Sequence, residues 1–123
     1  MYAVLQPDIR HCGGLLELKK ITSMAEIHNM ALAPHNAVGP IGVAVSIHVM
    51  ATVSNLLICE GGHQLGEGLF KTPMVFKDGF IELSTAPGLG VDMNDEAIDS
   101  IRDETFRLRG MFWHQDDGSF ADF

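Results

Sequence analysis

The chain has 123 residues, which is enough for one domain with a single modest hydrophobic core. Apolar residues make up 46% of it and charged residues 20%, a balance typical of globular rather than disordered proteins. The formal net charge of -8 at pH 7, with no basic stripe, argues against nucleic acid or an anionic membrane surface as a partner.

Membrane insertion, secretion and a disulfide framework are not expected either. The apolar stretch over residues 43–58 is interrupted by polar side chains and does not form a transmembrane span. The first ten residues lack the basic start and long apolar core of a signal peptide. Two cysteines are too few for a disulfide framework. We therefore expect a cytoplasmic protein that binds neither membranes nor nucleic acid.

The first 60 residues alternate short apolar runs with segments of helical periodicity. The apolar runs predict buried strands over residues 2–5, 30–34 and 56–59. The periodic segments predict helices over residues 15–29 and 40–53, the second of them beginning at a proline that suits the first turn. Helices that connect successive strands in this way are typical of a parallel α/β sheet.

The second half of the chain has a different character. Residues 74–83 alternate in polarity around an Asp-Gly pair, which predicts a β-hairpin with its turn at that pair. A short helix is predicted over residues 96–103, with Asn94 or Asp95 as its N-cap.

This change of character suggests two parts. We assign residues 1–70 to a partial barrel and residues 71–123 to a C-terminal hairpin, a short helix and a tail. The tail, residues 112–123, is aromatic and acidic, and we expect it to pack as a strap across a larger body.

Three ionisable residues stand where the three predicted strands end. They are Asp8, His35 and Glu60, separated by 27 and 25 positions. One β/α unit of an eight-fold barrel occupies roughly 30 residues. Because the carboxyl ends of parallel strands face the ligand in such folds, we expect these three side chains to meet at one edge of the sheet.

Such a set of residues suits proton transfer. Histidine titrates near neutral pH and is a common general base. A neighbouring aspartate would fix its tautomer and stabilise the imidazolium. A glutamate held protonated beside them could donate a hydrogen bond to a developing enolate oxygen. Taken singly, Asp8 also fits a turn or cap, His35 a loop residue and Glu60 a solvated charge.

Several short motifs match one known family and together span nearly the whole chain. They are Gln6-Pro7-Asp8, Gly13-Gly14, Ala33-Pro34-His35, Gly39-Pro40, Asn55, Glu60, the PGLGV stretch and the closing tail. With them the sequence resembles the C-terminal barrel part of the mandelate racemase and muconate lactonizing group of the enolase superfamily. Within that group it most resembles galactonate dehydratase and related sugar-acid dehydratases.

The resemblance implies an α/β fold and a role for each strand-end residue. The fold would comprise about the last three β/α units of a (β/α) barrel and a segment that packs on a capping domain. His35 would be the general base, Asp8 its dyad partner, and Glu60 the residue that hydrogen-bonds the enediolate. The implied enzyme is a lyase that removes the proton α to the carboxylate of a small acid sugar and eliminates water, giving a 2-keto-3-deoxy acid.

The resemblance also implies magnesium, with ligands on earlier strands that this chain lacks. No metal ligand is therefore expected in this chain. Three parallel strands cannot close a barrel and leave unpaired edges. We accordingly expect a fragment that is marginally stable and inactive alone, and a full-length form that is a homo-oligomer.

Two alternatives to the dehydratase stay open. A racemase or epimerase of the same group would share the proton abstraction and differ in the fate of the enediolate. A non-catalytic truncated remnant would fold by pairing with another copy or a partner. The pair His114-Gln115 stands where these dehydratases often carry Arg-His, so the sequence does not identify the sugar acid.

Overall fold

The structure is a computed structural model that describes residues 3–36, 39–61 and 65–105. Within these residues the chain forms a small α/β unit with short strands. In chain order the elements are β1 (Val4–Leu5), α1 (Leu15–Ile27), β2 (Ala31–Leu32), α2 (Pro40–Met50), β3 (Phe76–Lys77), β4 (Phe80–Ile81) and α3 (Asp95–Ile101). The predicted strap, residues 112–123, lies outside the described residues.

The first half is a parallel β/α arrangement. β1 and β2 pair in parallel, with Val4 opposite Ala31 and Leu5 opposite Leu32. The helix α1 makes the connection between them, as parallel strands require. Leu32 forms a further parallel bridge with Leu56 on its other side. The first two predicted strands and the parallel order are confirmed, although β1 and β2 have two residues each and are shorter than the predicted residues 2–5 and 30–34.

The third strand, predicted over residues 56–59, is wrong in its extent. Here the structure has a single bridge, in which Leu32 N–H donates to Asn55 O and Leu57 N–H donates to Leu32 O, both at 2.8 Å. A longer strand needs a continuing ladder of backbone hydrogen bonds, and an apolar sequence does not by itself supply a partner. Leu57 and Ile58 are accordingly exposed.

The two long helices pack together, and α1 also packs against β2. Leu18 of α1 is fully buried in a cluster with Ile9 and with Val49 of α2. Just after α2, the carbonyl oxygen and the hydroxyl of Thr52 accept hydrogen bonds from Lys19 Nζ at 2.6 and 2.9 Å. The helices are therefore joined by apolar burial, and Lys19 of α1 also binds the segment that follows α2.

Helix α1 ends two residues before the predicted boundary because the chain reverses at Asn29. This residue has a φ of 53°, in the left-handed region. Asn29 N–H donates to Glu26 O at 3.0 Å, and Met30 N–H donates to Ala25 O at 2.9 Å. This pair of bonds is the Schellman arrangement, which satisfies the last carbonyls of the helix and turns the chain into β2.

Helix α2 begins at Pro40, as predicted, and ends at Met50, three residues sooner than expected. Near that end, His48 Nε2 lies 3.1 Å from Leu89 O. The same helix packs against Ile81 of β4. α2 thus contacts both α1 and the second half of the chain.

The predicted hairpin is confirmed as β3 and β4, which pair antiparallel with Lys77 opposite Phe80. Its two-residue turn has φ of 52° at Asp78 and 86° at Gly79. Positive φ at both central residues is the signature of the type I′ turn that Asp-Gly favours.

The last described helix, α3, confirms the prediction of a capped helix near residues 96–103. Asn94 is the N-cap, and its side-chain oxygen accepts from Ala97 N–H at 3.3 Å. Among the described helices, none has the length and apolar character needed to cross a membrane. The division of the chain at residue 70 stays a prediction.

We expect Leu18→Ala to lower the free energy of unfolding by about 2–5 kcal/mol, because it leaves a cavity in the cluster with Ile9 and Val49. Urea titration followed by helical circular dichroism measures the effect. The matched control is Leu16→Ala in the same helix, whose side chain is 73% exposed and should change stability by less than about 0.5 kcal/mol. Equal losses in both variants would contradict this description of the core.

Candidate active site

The backbone itself brings two of the predicted site residues together. Past the ends of β1 and β2, Asp8 and His35 form another parallel bridge. His35 N–H donates to Pro7 O at 3.2 Å within this pairing. Asp8 and His35 therefore occupy neighbouring carboxyl ends of parallel strands, the edge at which ligands bind in such sheets.

The side chains of Asp8 and His35 are in direct contact. His35 Nδ1 lies 3.0 Å from Asp8 Oδ2. An ionised carboxylate only accepts hydrogen bonds, so a neutral His35 in this contact carries its proton on Nδ1. Its Nε2 then holds the lone pair, and the side chain as a whole is 45% exposed. This is the arrangement of a general base held by a carboxylate.

Glu60 completes the group from the third predicted strand end. Its Oε2 lies 3.9 Å from His35 Nε2. The same oxygen accepts a hydrogen bond of 2.8 Å from the backbone N–H of Asn36. All three predicted side chains thus lie at one edge of the sheet, with Glu60 on the side of the imidazole away from Asp8.

Asn36 is a buried residue of the site that was not predicted from the sequence. Its side chain is almost completely buried, at 1% exposure. A Cβ added at Gly42 would collide with Asn36 Oδ1, and one added at Gly61 would come within 2.8 Å of its Nδ2. Asn36 is thereby held between α2 and the segment after Glu60. A glycine near the start of α2 was the available signal, but its neighbour is visible only in the fold.

Arg10 is a second residue that the sequence reasoning missed. Its backbone N–H donates to Asp8 Oδ1 at 2.8 Å, its Nε donates to Asp8 Oδ1 at 3.2 Å and its Nη2 donates to Asp8 Oδ2 at 2.8 Å. The first bond is an Asx turn, in which an aspartate binds the backbone two residues on. An aspartate followed two positions later by an arginine was the signal available in the sequence.

The pKa of Asp8 reflects these contacts. Burial alone would raise the pKa of this carboxyl, because it disfavours the charged form. Hydrogen bonds from the Arg10 side chain and backbone, and from His35, act in the opposite direction and hold the pKa of Asp8 well below its ordinary value. Asp8 is therefore ionised throughout the neutral range.

The described residues do not fit a metal site. They contain no group of three or more His, Cys, Asp or Glu side chains placed to hold an ion. The buried carboxylate of Asp8 is bound by Arg10 and His35, and Glu60 Oε2 accepts the Asn36 amide. The donor atoms at this edge are therefore arranged for hydrogen bonding.

The sequence family described as "Enolase C-terminal domain-like" matches residues 1–97. D-galactonate dehydratase from Verminephrobacter eiseniae (strain EF01-2) is 36% identical over 98% of this chain and 34% of its own length. The enzyme of the same name from Ralstonia pickettii (strain 12J) is 34% identical over the same shares. The chain thus spans about a third of the length of these curated relatives.

Solved structures agree with these sequence matches. A mandelate racemase/muconate lactonizing enzyme from Jannaschia sp. CCS1 superposes with a TM-score of 0.75 at 32% identity, over 85% of this chain and 28% of that one. Another from Sulfitobacter sp. has a TM-score of 0.68 at 39% identity, over 76% of this chain and 24% of that one. The resemblance read from the motifs, and the α/β barrel part that it implied, are confirmed.

We expect Asp8→Asn to lower the free energy of unfolding at pH 7 by about 1.5–3 kcal/mol, because charged hydrogen bonds to Arg10 are lost. A lowered folded-state pKa stabilises the fold above the ordinary carboxyl value, so the difference from wild type should shrink as pH falls below about 4. Urea unfolding at stepped pH measures it.

The control for this experiment is Asp99→Asn. Asp99 is exposed and pairs with Arg102 at 3.7 Å, so its replacement should change stability by less than about 1 kcal/mol. A deficit in Asp8→Asn that stays constant down to pH 2 would contradict the assignment of Asp8 as an ionised partner.

Proposed function

The chain belongs to the enolase C-terminal domain-like family, and on this premise we propose that the protein is a sugar-acid dehydratase. The proposed reaction removes the proton α to the carboxylate of a sugar acid, forms an enediolate and eliminates water to give a 2-keto-3-deoxy acid. The observation that carries the proposal is the contact of His35 Nδ1 with Asp8, which leaves Nε2 directed toward the Glu60 side of the site. The dehydratases among the relatives support it.

In this proposal His35 is the general base. Its Nε2 takes the α-proton, and the imidazolium so formed is stabilised by the adjacent Asp8 carboxylate. Holding the ring through Nδ1 fixes both its tautomer and its direction before substrate binds. A positioned base of this kind contributes typically 10²–10⁴-fold in rate.

Glu60 is proposed to stabilise the enediolate. Because its Oε2 accepts the Asn36 amide hydrogen, a protonated Glu60 would carry its proton on Oε1 and donate from that atom. Charge that develops on the substrate oxygen during proton removal would strengthen this hydrogen bond, which is the condition for catalysis rather than mere binding.

We propose magnesium as a cofactor of the whole protein, on the strength of the family alone. The described residues offer no ligand set for it, so its ligands would come from elsewhere and no step above is derived through it. In this proposal the chain supplies the general base and the residue that hydrogen-bonds the enediolate, and other residues of the whole protein would hold the metal.

We expect His35→Asn to abolish exchange of the substrate α-proton with deuterated solvent, because Asn has no basic nitrogen in place of Nε2. Proton NMR of a sugar acid incubated with the intact protein measures this exchange. The matched control is His28→Asn, an exposed residue just after α1, which should exchange at the wild-type rate. Undiminished exchange in His35→Asn would remove this residue from the role of base.

A panel of aldonic and aldaric acids, assayed for keto-acid formation, should show at least one substrate for the intact protein, and chelation should remove the activity until magnesium is restored. α-Proton exchange without keto-acid formation would instead indicate a racemase or epimerase. Activity that survives exhaustive chelation would contradict the magnesium proposal.

A further inference from the structure

The side chains of Arg10 and His35 both contact one buried carboxylate, that of Asp8. The Arg10 guanidinium binds Asp8 from the side, with Nε on Oδ1 and Nη2 on Oδ2, and His35 Nδ1 approaches that same Oδ2 at 3.0 Å. The Asp8 side chain is only 5% exposed, whereas that of Arg10 is 29% exposed. Arg10 thus binds the buried Asp8 carboxylate while part of its own side chain is exposed to solvent.

This geometry fixes the direction of the carboxylate. Two parallel N–H···O bonds from a planar guanidinium hold both carboxylate oxygens, and the backbone N–H of Arg10 adds a third bond to Oδ1. A carboxylate held at both oxygens cannot rotate about its last bond. The oxygen presented to His35 is therefore determined by Arg10.

The charge of Arg10 also acts on His35. A carboxylate beside a histidine stabilises the imidazolium and raises its pKa, and a nearby positive charge opposes that effect. The ion pairs at His35 in the described residues are with Asp8 and Glu60, and Arg10 is the cation bound to Asp8. Because Arg10 shares Oδ2 with His35, it reduces the negative charge available to the ring.

We propose that Arg10 is a positioning residue for His35, which holds the Asp8 carboxylate in one orientation and shares the negative charge that faces the imidazole. The inference rests on the proposed function, in which His35 is the base. A general base is most effective when its pKa lies near the working pH. Arg10 therefore influences both the orientation of the ring and the charge beside it.

The charge effect is tested with Arg10→Gln by NMR titration of the His35 ring in the intact protein. We expect the His35 pKa to rise by about one unit, because Asp8 loses its cationic partner. The acidic limb of the pH profile for α-proton exchange should move upward by a similar amount. In an Asp8→Asn background the same substitution should change the His35 pKa much less, since the contact through Asp8 is gone and only the direct effect of the Arg10 charge remains.

The geometric effect is tested with Arg10→Lys. Lysine keeps the charge but cannot hold both carboxylate oxygens, so the His35 pKa should stay within a few tenths of wild type. The rate constant kcat should fall about tenfold with KM unchanged, because the ring is less well aimed. This variant decides the question if Arg10→Gln does not fold, as judged by circular dichroism.

Two results would overturn the inference: an Arg10→Gln protein with an unchanged His35 pKa and pH profile, or an Arg10→Lys protein with wild-type kcat. A wild-type protein that exchanges no α-proton would refute the proposed function instead. In that case the His35 titration still decides whether Arg10 acts on the ring through Asp8, so the two failures are distinguishable.

Discussion

The site depends on the parallel pairing that continues past the ends of β1 and β2. The bridge between Asp8 and His35 places two side chains from segments 27 residues apart in direct contact. Parallel strands are aligned in direction, so whatever follows each strand arrives at the same edge. The buried cluster of Leu18, Ile9 and Val49 holds α1 and α2 against this pairing and thereby fixes the edge. Apolar burial and backbone register thus supply the geometry on which the proposed chemistry relies.

Much of this arrangement could be predicted from the sequence, because it follows from local patterns. Apolar runs and helical periodicity located β1, α1, β2 and the start of α2, and the Asp-Gly pair located the hairpin turn. The spacing of Asp8, His35 and Glu60 indicated that they share an edge, since one β/α unit separates each from the next.

The features that were missed depend on contacts between distant segments or on side-chain conformation. The extent of the third strand was overestimated because a strand requires a hydrogen-bonding partner, and Leu57 and Ile58 are exposed in this chain. The hydrogen bonds from Arg10 to Asp8 depend on the conformation of the long arginine side chain in a turn. The hydrogen bond from the Asn36 backbone N–H to Glu60 depends on the orientation of one peptide group, which a residue pattern does not predict.

That same peptide group has a consequence for how the site can change. The N–H bound to Glu60 belongs to the residue that directly follows His35, and the Asn36 side chain is confined by Gly42 and Gly61. A backbone shift at Asn36 would therefore move the imidazole and the hydrogen-bond donor of Glu60 together. A change that repositions the proposed base thus also changes the surroundings of the neighbouring carboxyl group.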